Sequence, residues 1–437
     1  MLGLLGFLTV TVFLVLIMTN RLSVIVALII VPVTFAVIGG FSAEIGTMMM
    51  DGILQVAPTG IMIAFAVLYF GVMIDAGLFD PITARILRLV KGDPVKVVIG
   101  TAILTMLVSL DGDGASTFMI TITAMLPLYK RLGMSLYVLT GTVALGAGVM
   151  NIAPWGGPTA RAMTALNVEA SELFNPVIPA MIAGIVWVLI VSYYFGKKER
   201  KRLGHIVLNE QDFKAMAELA VSLEETQKNV KRPQLFWFNV ILTVILVIAL
   251  VKGLLPLATL FMIAFAIALV VNYPNPREQM ERLTSHAGNV VLVSSIIFAA
   301  GIFTGILTGT NMIGEMATSA VSIIPDALAP FLPVLVAITS VPLSLVFTPD
   351  AYYFGVLPVL SEMAVNFGLN PIEIGRAAIL GQMTTGFPIS PLIASPFILV
   401  SLSGVDFGKH QLYTFKWAFG TTIVMTIVAI LTGAISL

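Results

Sequence analysis

Two acidic segments, each broken by glycine or proline, lie inside apolar stretches at corresponding places in the two halves of this chain. The first reads Ser109-Leu110-Asp111-Gly112-Asp113-Gly114-Ala115-Ser116-Thr117, the second Phe347-Thr348-Pro349-Asp350-Ala351-Tyr352-Tyr353. A carboxylate at bilayer depth costs about 2.5–3.5 kcal/mol on insertion scales. Glycine and proline also free backbone groups that lipid cannot satisfy, so such breaks belong against protein or a water-filled cavity. Two of them in matching positions point to a substrate and coupling-ion site between inverted repeats.

The rest of the chain agrees with a membrane setting. Of its 437 residues 58% are hydrophobic and 11% charged, against about 25% charged in soluble domains. Apolar runs of spanning length recur throughout, so the chain reads as an all-α polytopic membrane protein. A formal net charge of zero argues against nucleic acid as a partner. The absence of cysteine excludes disulfides, thiolate metal ligands and cysteine nucleophiles. Residues 2–18 lack a positive flank and a small-residue cleavage site, and read as a retained first span.

Spans are expected at about 2–19, 22–40, 58–77, 136–169 and 173–196, then at 234–252, 254–272, 288–310, 371–402 and 412–436. The fourth and ninth are broken near their middles. Residues 95–129 and 331–361 are apolar, carry the acidic breaks and have room for two short helices each, as re-entrant hairpins do. The organisation is therefore a first repeat over 1–196, a cytoplasmic linker over 197–232 and a second repeat over 233–437, each with five spans and one hairpin. The linker is placed inside by its basic ends, Lys197-Lys198-Glu199-Arg200-Lys201-Arg202 and Lys231-Arg232. Threading outward from it puts Arg21, Arg85, Arg88, Lys91, Lys130, Arg131, Arg277, Arg282 and Lys409 on the same side. Glu44, Asp51, Glu169, Glu172, Glu315, Asp326 and Glu362 fall on the other, together with both termini. The first hairpin then enters from the cytoplasm and the second from outside.

An odd number of spans per half inverts the second half relative to the first. After each acidic break the chain breaks once more. The first of these later breaks reads Met150-Asn151-Ile152-Ala153-Pro154-Trp155-Gly156-Gly157-Pro158-Thr159-Ala160-Arg161, the second Gln382-Met383-Thr384-Thr385-Gly386-Phe387-Pro388-Ile389-Ser390-Pro391.

Several of these segments resemble the citrate–metal–proton symporter (CitMHS) family, within the wider ion transporter superfamily. They are Leu110-Asp111-Gly112-Asp113-Gly114, Pro154-Trp155-Gly156-Gly157-Pro158-Thr159-Ala160-Arg161 and Asp350-Ala351-Tyr352-Tyr353-Phe354-Gly355-Val356-Leu357-Pro358, with weaker matches at Gly404-Val405, His410-Gln411 and Lys416-Trp417. The resemblance covers nearly the whole chain. It implies import of citrate or a related polycarboxylate complexed with a divalent cation such as Mg2+ or Ca2+, driven by protons. It also implies a homodimer working as an elevator-type carrier.

Read from the residues, an anionic polycarboxylate needs backbone N–H groups at half-helix N-termini. Ser116 and Thr117 are expected to begin the helix after the first hairpin tip, Pro158 and Thr159 the half-helix after the first break, and Ser390 and Pro391 the half-helix after the second. The expected substrate-binding set is Ser116, Thr117, Asn151, Gly157, Thr159, Arg161, Thr384, Thr385 and Ser390. Arg161 can grip a carboxylate bidentately or pair with a site acid. Asp111, Asp113 and Asp350 repel a free polyanion and make sense where a metal, Na+ or a proton intervenes. The plainer reading is a helix cap at each tip, which the second aspartate of the first tip exceeds. Asp113 and Asp350 are expected to be symmetric partners.

Elsewhere the readings are structural. Asp75 reads as an interfacial cap, Glu373 and Arg376 as a mutual pair, and His205, His286 and His410 as solvated loop residues. Trp155, Trp237 and Trp417 read as anchors or packing residues, and 208–228 as a solvated helix. The alternative within carriers is Na+- or proton-coupled transport of a dicarboxylate or sugar acid without metal. Two intramembrane aspartates also suit an aspartyl protease, but its Gly-x-Gly-Asp order is missing, so an enzyme is not expected. A passive channel leaves the four paired breaks unexplained.

Overall fold

A backbone that must satisfy its own polar groups in lipid has helix as its open-ended solution. The computed structural model describes residues 1–90, 92–204, 230–321 and 326–436, and among these every regular element is helical. The expected solvated helix at 208–228 and His205 lie outside the described residues. The first half contains α1 (Leu2–Met18), α2 (Val24–Ile38), α3 (Ile45–Asp75), α4 (Asp80–Val90), α5 (Pro94–Val108), α6 (Gly114–Arg131), α7 (Leu136–Met150), α8 (Gly157–Leu166), α9 (Ala170–Leu173) and α10 (Ile178–Leu203). The second half contains α11 (Phe236–Lys252), α12 (Leu257–Asn272), α13 (Pro276–Gly309), α14 (Met312–Val321), α15 (Leu332–Leu343), α16 (Leu357–Asn366), α17 (Pro371–Ile379), α18 (Ser395–Ser403) and α19 (Phe407–Leu431). Among the described residues six helices are long and apolar enough to cross a membrane, and five shorter apolar helices accompany them.

Two expected spans are the apolar parts of longer helices. α3 has 31 residues and begins at Ile45, ahead of the expected start at 58. α13 has 34 residues and begins at Pro276, where the Asn275 side chain accepts from the Arg277 N–H at 3.0 Å. Their first turns carry Asp51 and Gln55, or Arg277, Glu278, Glu281 and Arg282, so hydropathy falls while helix propensity persists. α10 likewise continues to Leu203, through the basic run assigned to the linker. The short helices α4 and α14 lie outside the expected spans.

Glycine sets how the long helices meet. A Cβ on Gly52 of α3 would stand 2.0 Å from the Gly301 carbonyl oxygen of α13, and one on Gly305 would stand 2.4 Å from the Met48 carbonyl oxygen. Only bare backbones fit there, the small-residue contact that lets membrane helices approach closely. α12 packs on α3, and α2 on α13. A second group forms around α5, α7, α10 and α19, with α6 against α18 and α15 against α17. α8 touches α3 and α13 on one side and α17 on the other.

Polar residues near helix ends are paired. Asp93 accepts from Arg200 Nε at 3.0 Å, Lys231 Nζ lies 2.7 Å from Asp80, and Arg232 lies 2.8 Å from Glu278. Asp75 is no simple cap: its Oδ2 lies 2.9 Å from His286 Nε2 and 3.3 Å from Arg282. His286 is thus part of α13, half-buried against α3, rather than solvated in a loop. Glu373 and Arg376 do not pair with each other. Arg376 donates to the Glu172 and Ala434 carbonyls, while Glu373 accepts from the Ser436 N–H at 2.7 Å, so each side chain is spent on backbone groups from elsewhere in the chain.

Candidate functional site

The first acidic break is a tight helix–turn–helix. After α5 a 3-10 turn over Ser109–Asp111 leads to Gly112, whose φ of 74° lies in the left-handed region that glycine enters without strain. Asp113 then caps α6. Its Oδ1 accepts from the Ala115 N–H at 3.2 Å, and its Oδ2 from the Ser116 N–H at 3.0 Å and the Ser116 hydroxyl at 2.6 Å. Asp111 differs. It is 6% exposed, and its Oδ1 accepts from the Asp113 N–H at 2.9 Å and the Thr117 hydroxyl at 3.4 Å. Asp111 Oδ2 and the Ser109 hydroxyl are buried with no hydrogen-bond partner among the described residues.

The second acidic break is built differently. Past α15, Thr348 Oγ1 accepts from the Ala351 N–H at 3.2 Å, so the threonine, not the aspartate, holds the helix start. A π-helical turn over Ala351–Val356 follows and runs into α16. Asp350 meets Arg161 instead, with Arg161 Nε 2.7 Å from its Oδ1. Asp113 and Asp350 are therefore not equivalent in their contacts: one caps its own helix, the other crosses 189 residues of sequence to a guanidinium.

The two later breaks interrupt the α7–α8 and α17–α18 helices and lie against each other. Asn151 Nδ2 donates to the Met383 carbonyl at 2.7 Å, and a Cβ on Gly148 would stand 3.1 Å from the Thr384 carbonyl oxygen. Within the first break the Thr159 hydroxyl donates to the Ile152 carbonyl at 2.7 Å, and Trp155 Nε1 donates to the Leu110 carbonyl at 2.8 Å. That tryptophan, buried and stacked on Phe70, ties the break to the first hairpin. Arg161 Nη1 donates back to the Gly157 carbonyl at 3.2 Å.

In the second break Thr384 Oγ1 donates to the Ile379 carbonyl and Thr385 bonds the Thr422 hydroxyl; both threonines are buried. Gln382 Oε1 accepts from Ser344, and its carbonyl from the Tyr353 hydroxyl at 2.8 Å. Ser390 does not begin the half-helix as expected. It closes a 3-10 turn over Phe387–Ile389, its hydroxyl donates to the Ser344 carbonyl at 2.6 Å, and α18 starts at Ser395, where Pro396 occupies the first turn. His410, expected in solvent, is fully buried at the start of α19. Its Nε2 faces the Pro388 carbonyl at 3.2 Å, so that nitrogen carries the proton, and Nδ1 lies 3.0 Å from the Thr140 hydroxyl. Gln411 adds a bond to the Ile389 carbonyl at 2.9 Å. These two side chains hold the unwound turn from 22 positions away in sequence, a separation that no local pattern marks.

The hairpin tip and both later breaks border one small cavity of about 10 Å³, lined by Ser109, Asp113, Thr117, Asn151 and Phe387 among others, on the order of one water. Phe118 stacks on the cavity-lining Phe387 at 5.5 Å between centroids. A larger cavity of about 270 Å³ lies between the end of α1, Thr348 and residues 391–394. The expected residues thus gather in two clusters that share Asn151 and the second break: Asp111, Asp113, Ser116 and Thr117 at the first tip, and Gly157, Arg161 and Asp350 across α8.

Residues 13–381 match the family described as citrate transporter. A "Citrate transporter" of Bacillus subtilis (strain 168) is 57% identical over 436 residues, covering 100% of both chains. A "Mg(2+)/citrate complex secondary transporter" of the same strain is 52% identical over 439 residues, again 100% of both. Among solved structures, the YdaH transporter of Alcanivorax borkumensis aligns with a TM-score of 0.60 at 14% identity, over 90% of this chain and 89% of that one. MtrF of Neisseria gonorrhoeae aligns with a TM-score of 0.61 at 13% identity, over 90% and 85%. At those identities the likeness is one of fold.

Proposed function

The chain belongs to the citrate transporter family, and on that premise we propose that it imports citrate chelated to Mg2+ or Ca2+ by proton symport. Its multi-pass helical fold and its transporter relatives set aside an enzyme reading. The observation that carries the proposal is Arg161, set one turn inside α8 with Nε on Asp350 and Nη1 on the Gly157 carbonyl. A guanidinium so oriented keeps an edge for a carboxylate, and Asp350 offsets part of its charge while the site is empty of anion.

Among the described residues no three His, Asp or Glu side chains converge. A divalent cation therefore fits as cargo whose ligands come mainly from citrate and water, with one protein carboxylate added at most. Asp113, exposed at the tip, is the acid suited to that contact. Asp111, with one oxygen buried and unpaired, is the acid we assign to the coupling proton. Thr117 donates its hydroxyl to the Asp111 carboxylate and Ser116 to that of Asp113, while Asn151, Thr159, Thr384, Thr385 and Ser390 spend their side chains on backbone or hydroxyl partners; their part is to fix the tip and the unwound segments, and the α8 N-terminus offers donors to the anion.

One hairpin followed by one broken helix recurs in the same order in each half, which supports reading 1–196 and 233–437 as inverted repeats. In an elevator the group around α5, α7, α10 and α19 would move against α3, α12 and α13, and a homodimer would hold the latter still. The test is uptake of labelled citrate into liposomes carrying the purified protein, with and without Mg2+ and with an imposed pH gradient. Uptake that needs both supports the proposal; uptake indifferent to divalent cation overturns metal–citrate transport, and indifference to the gradient overturns proton coupling. Arg161→Ala is expected to abolish uptake under all conditions.

A further inference from the structure

We propose that Met383 forms the wall of the citrate site that limits the size of the metal–citrate complex, an inference that rests on the reading of Arg161 as the citrate anchor. Four observations meet at this residue. Its φ of 56° puts a side-chain-bearing residue in the left-handed region, a conformation that persists only where the surroundings impose it. What imposes it is visible: Asn151 of the other break holds the Met383 carbonyl at 2.7 Å. From Gly381 to Ser390 it is the one residue that is not buried, and from Asn151 to Ala160 the one residue not buried is Gly157. These are the partly exposed residues of the two breaks, and they lie against each other where the breaks cross.

The fourth observation is a contact with the anchor itself. A Cβ built on Gly157 would stand 2.7 Å from Met383 Cε, 3.2 Å from Met383 Sδ and 3.2 Å from Arg161 Nη1. The thioether tip and the guanidinium meet over that glycine. Arg161 Nε is taken by Asp350 and Nη1 by the Gly157 carbonyl, while Nη2 has no hydrogen-bond partner among the described residues. A carboxylate drawn to this guanidinium arrives beside Met383.

A thioether offers no strong donor or acceptor, so it sorts substrates by volume rather than charge. Volume is what separates the candidate cargoes. Ca2+ holds its oxygens at about 2.3–2.6 Å and takes more of them than Mg2+, which holds six at about 2.0–2.1 Å. The threonines that follow cannot do this sorting, since Thr384 and Thr385 are buried with their hydroxyls engaged.

The chain has no cysteine, so a single introduced thiol is the only one present. In full-length protein reconstituted in liposomes, Met383→Cys should react with N-ethylmaleimide while Thr384→Cys does not. Citrate with Mg2+ at ten times its Kd should slow the Met383→Cys reaction about tenfold by occupancy. In parallel, Met383→Ala should shift the ratio of Ca2+–citrate to Mg2+–citrate uptake toward the larger complex by on the order of tenfold, and Met383→Leu, of similar volume, should leave the ratio near that of the unmodified protein. Reaction rates unchanged by substrate, or an alanine effect equal for both complexes, would overturn the proposal. Absence of metal–citrate uptake by the unmodified protein would instead overturn the function proposed above, and this inference with it.

Discussion

At the residue scale, three aspartates with similar sequence settings have three different environments. Asp113 bonds two N–H groups and a hydroxyl of its own helix start. Asp111 has one satisfied and one unsatisfied oxygen. Asp350 is spent on Arg161. The chain's pattern shows that acids occupy the two tips, since a carboxylate within an apolar run needs a reason. It does not show which acid caps and which pairs, because the partner of Asp350 lies 189 positions away and the π turn that aims Asp350 leaves no compositional trace. The pair has a measurable signature. Its side chains are 15% and 12% exposed, so removing one partner strands a charge in a poorly solvated place. Such strandings cost up to about 3–5 kcal/mol. We expect Asp350→Ala and Arg161→Ala each to lower the thermal unfolding midpoint in detergent. The double variant should lose less than the two single losses added together. Additive losses would show that the two side chains do not depend on one another.

At the element scale, the broken helices are legible and their repair is not. Glycine and proline clusters at Asn151–Pro158 and Gly381–Pro391 announce unwound backbone. What satisfies that backbone comes from other elements: the indole of Trp155 on the Leu110 carbonyl, His410 and Gln411 on the carbonyls of Pro388 and Ile389, Tyr353 on that of Gln382. Each of these donors looked like an anchor, a solvated loop residue or an ordinary aromatic in the one-dimensional pattern. Ser390 shares that dependence on another element: its hydroxyl donates to the Ser344 carbonyl while accepting from the Leu392 N–H at 3.2 Å, and α18 begins only at Ser395. His410 gives the element-scale prediction. His410→Phe preserves bulk and removes the donor to Pro388, leaving a buried carbonyl unpaired at about 1–3 kcal/mol. Citrate uptake should fall sharply with the protein still monodisperse, and His410→Gln, which restores a donor, should recover part of it. Equal uptake by His410→Phe and the unmodified protein would show that the turn holds without this bond.

At the scale of the whole molecule, the charge pattern and the ion pairs group the same segments on one side. The charge rule places the linker ends, Arg85, Arg88, Arg277 and Arg282 on the cytoplasmic side. The Asp93–Arg200, Asp80–Lys231, Glu278–Arg232 and Asp75–Arg282 pairs all join segments that this threading puts on that same side. A fold in which those segments faced opposite surfaces could not make these bonds, so the structure is consistent with the segments being coplanar. Which surface they face is set by the membrane, and an introduced thiol reads it directly. Gly204, at the end of α10, and Gly253, after α11, are both exposed with positive φ and open space where a side chain would go. The strain of a Cβ is expected to cost about 1–2 kcal/mol at Gly253, in the left-handed helical region, and up to about 3 kcal/mol at Gly204, whose ψ of −164° is rarer still. In intact cells an impermeant maleimide should label Gly253→Cys and leave Gly204→Cys unreacted until the membrane is opened. The reverse pattern would turn the whole threading over, and with it the side from which each hairpin enters. Equal labelling of both before the membrane is opened would mean that the two positions do not lie on opposite faces, and would remove the inversion between the halves on which an elevator depends.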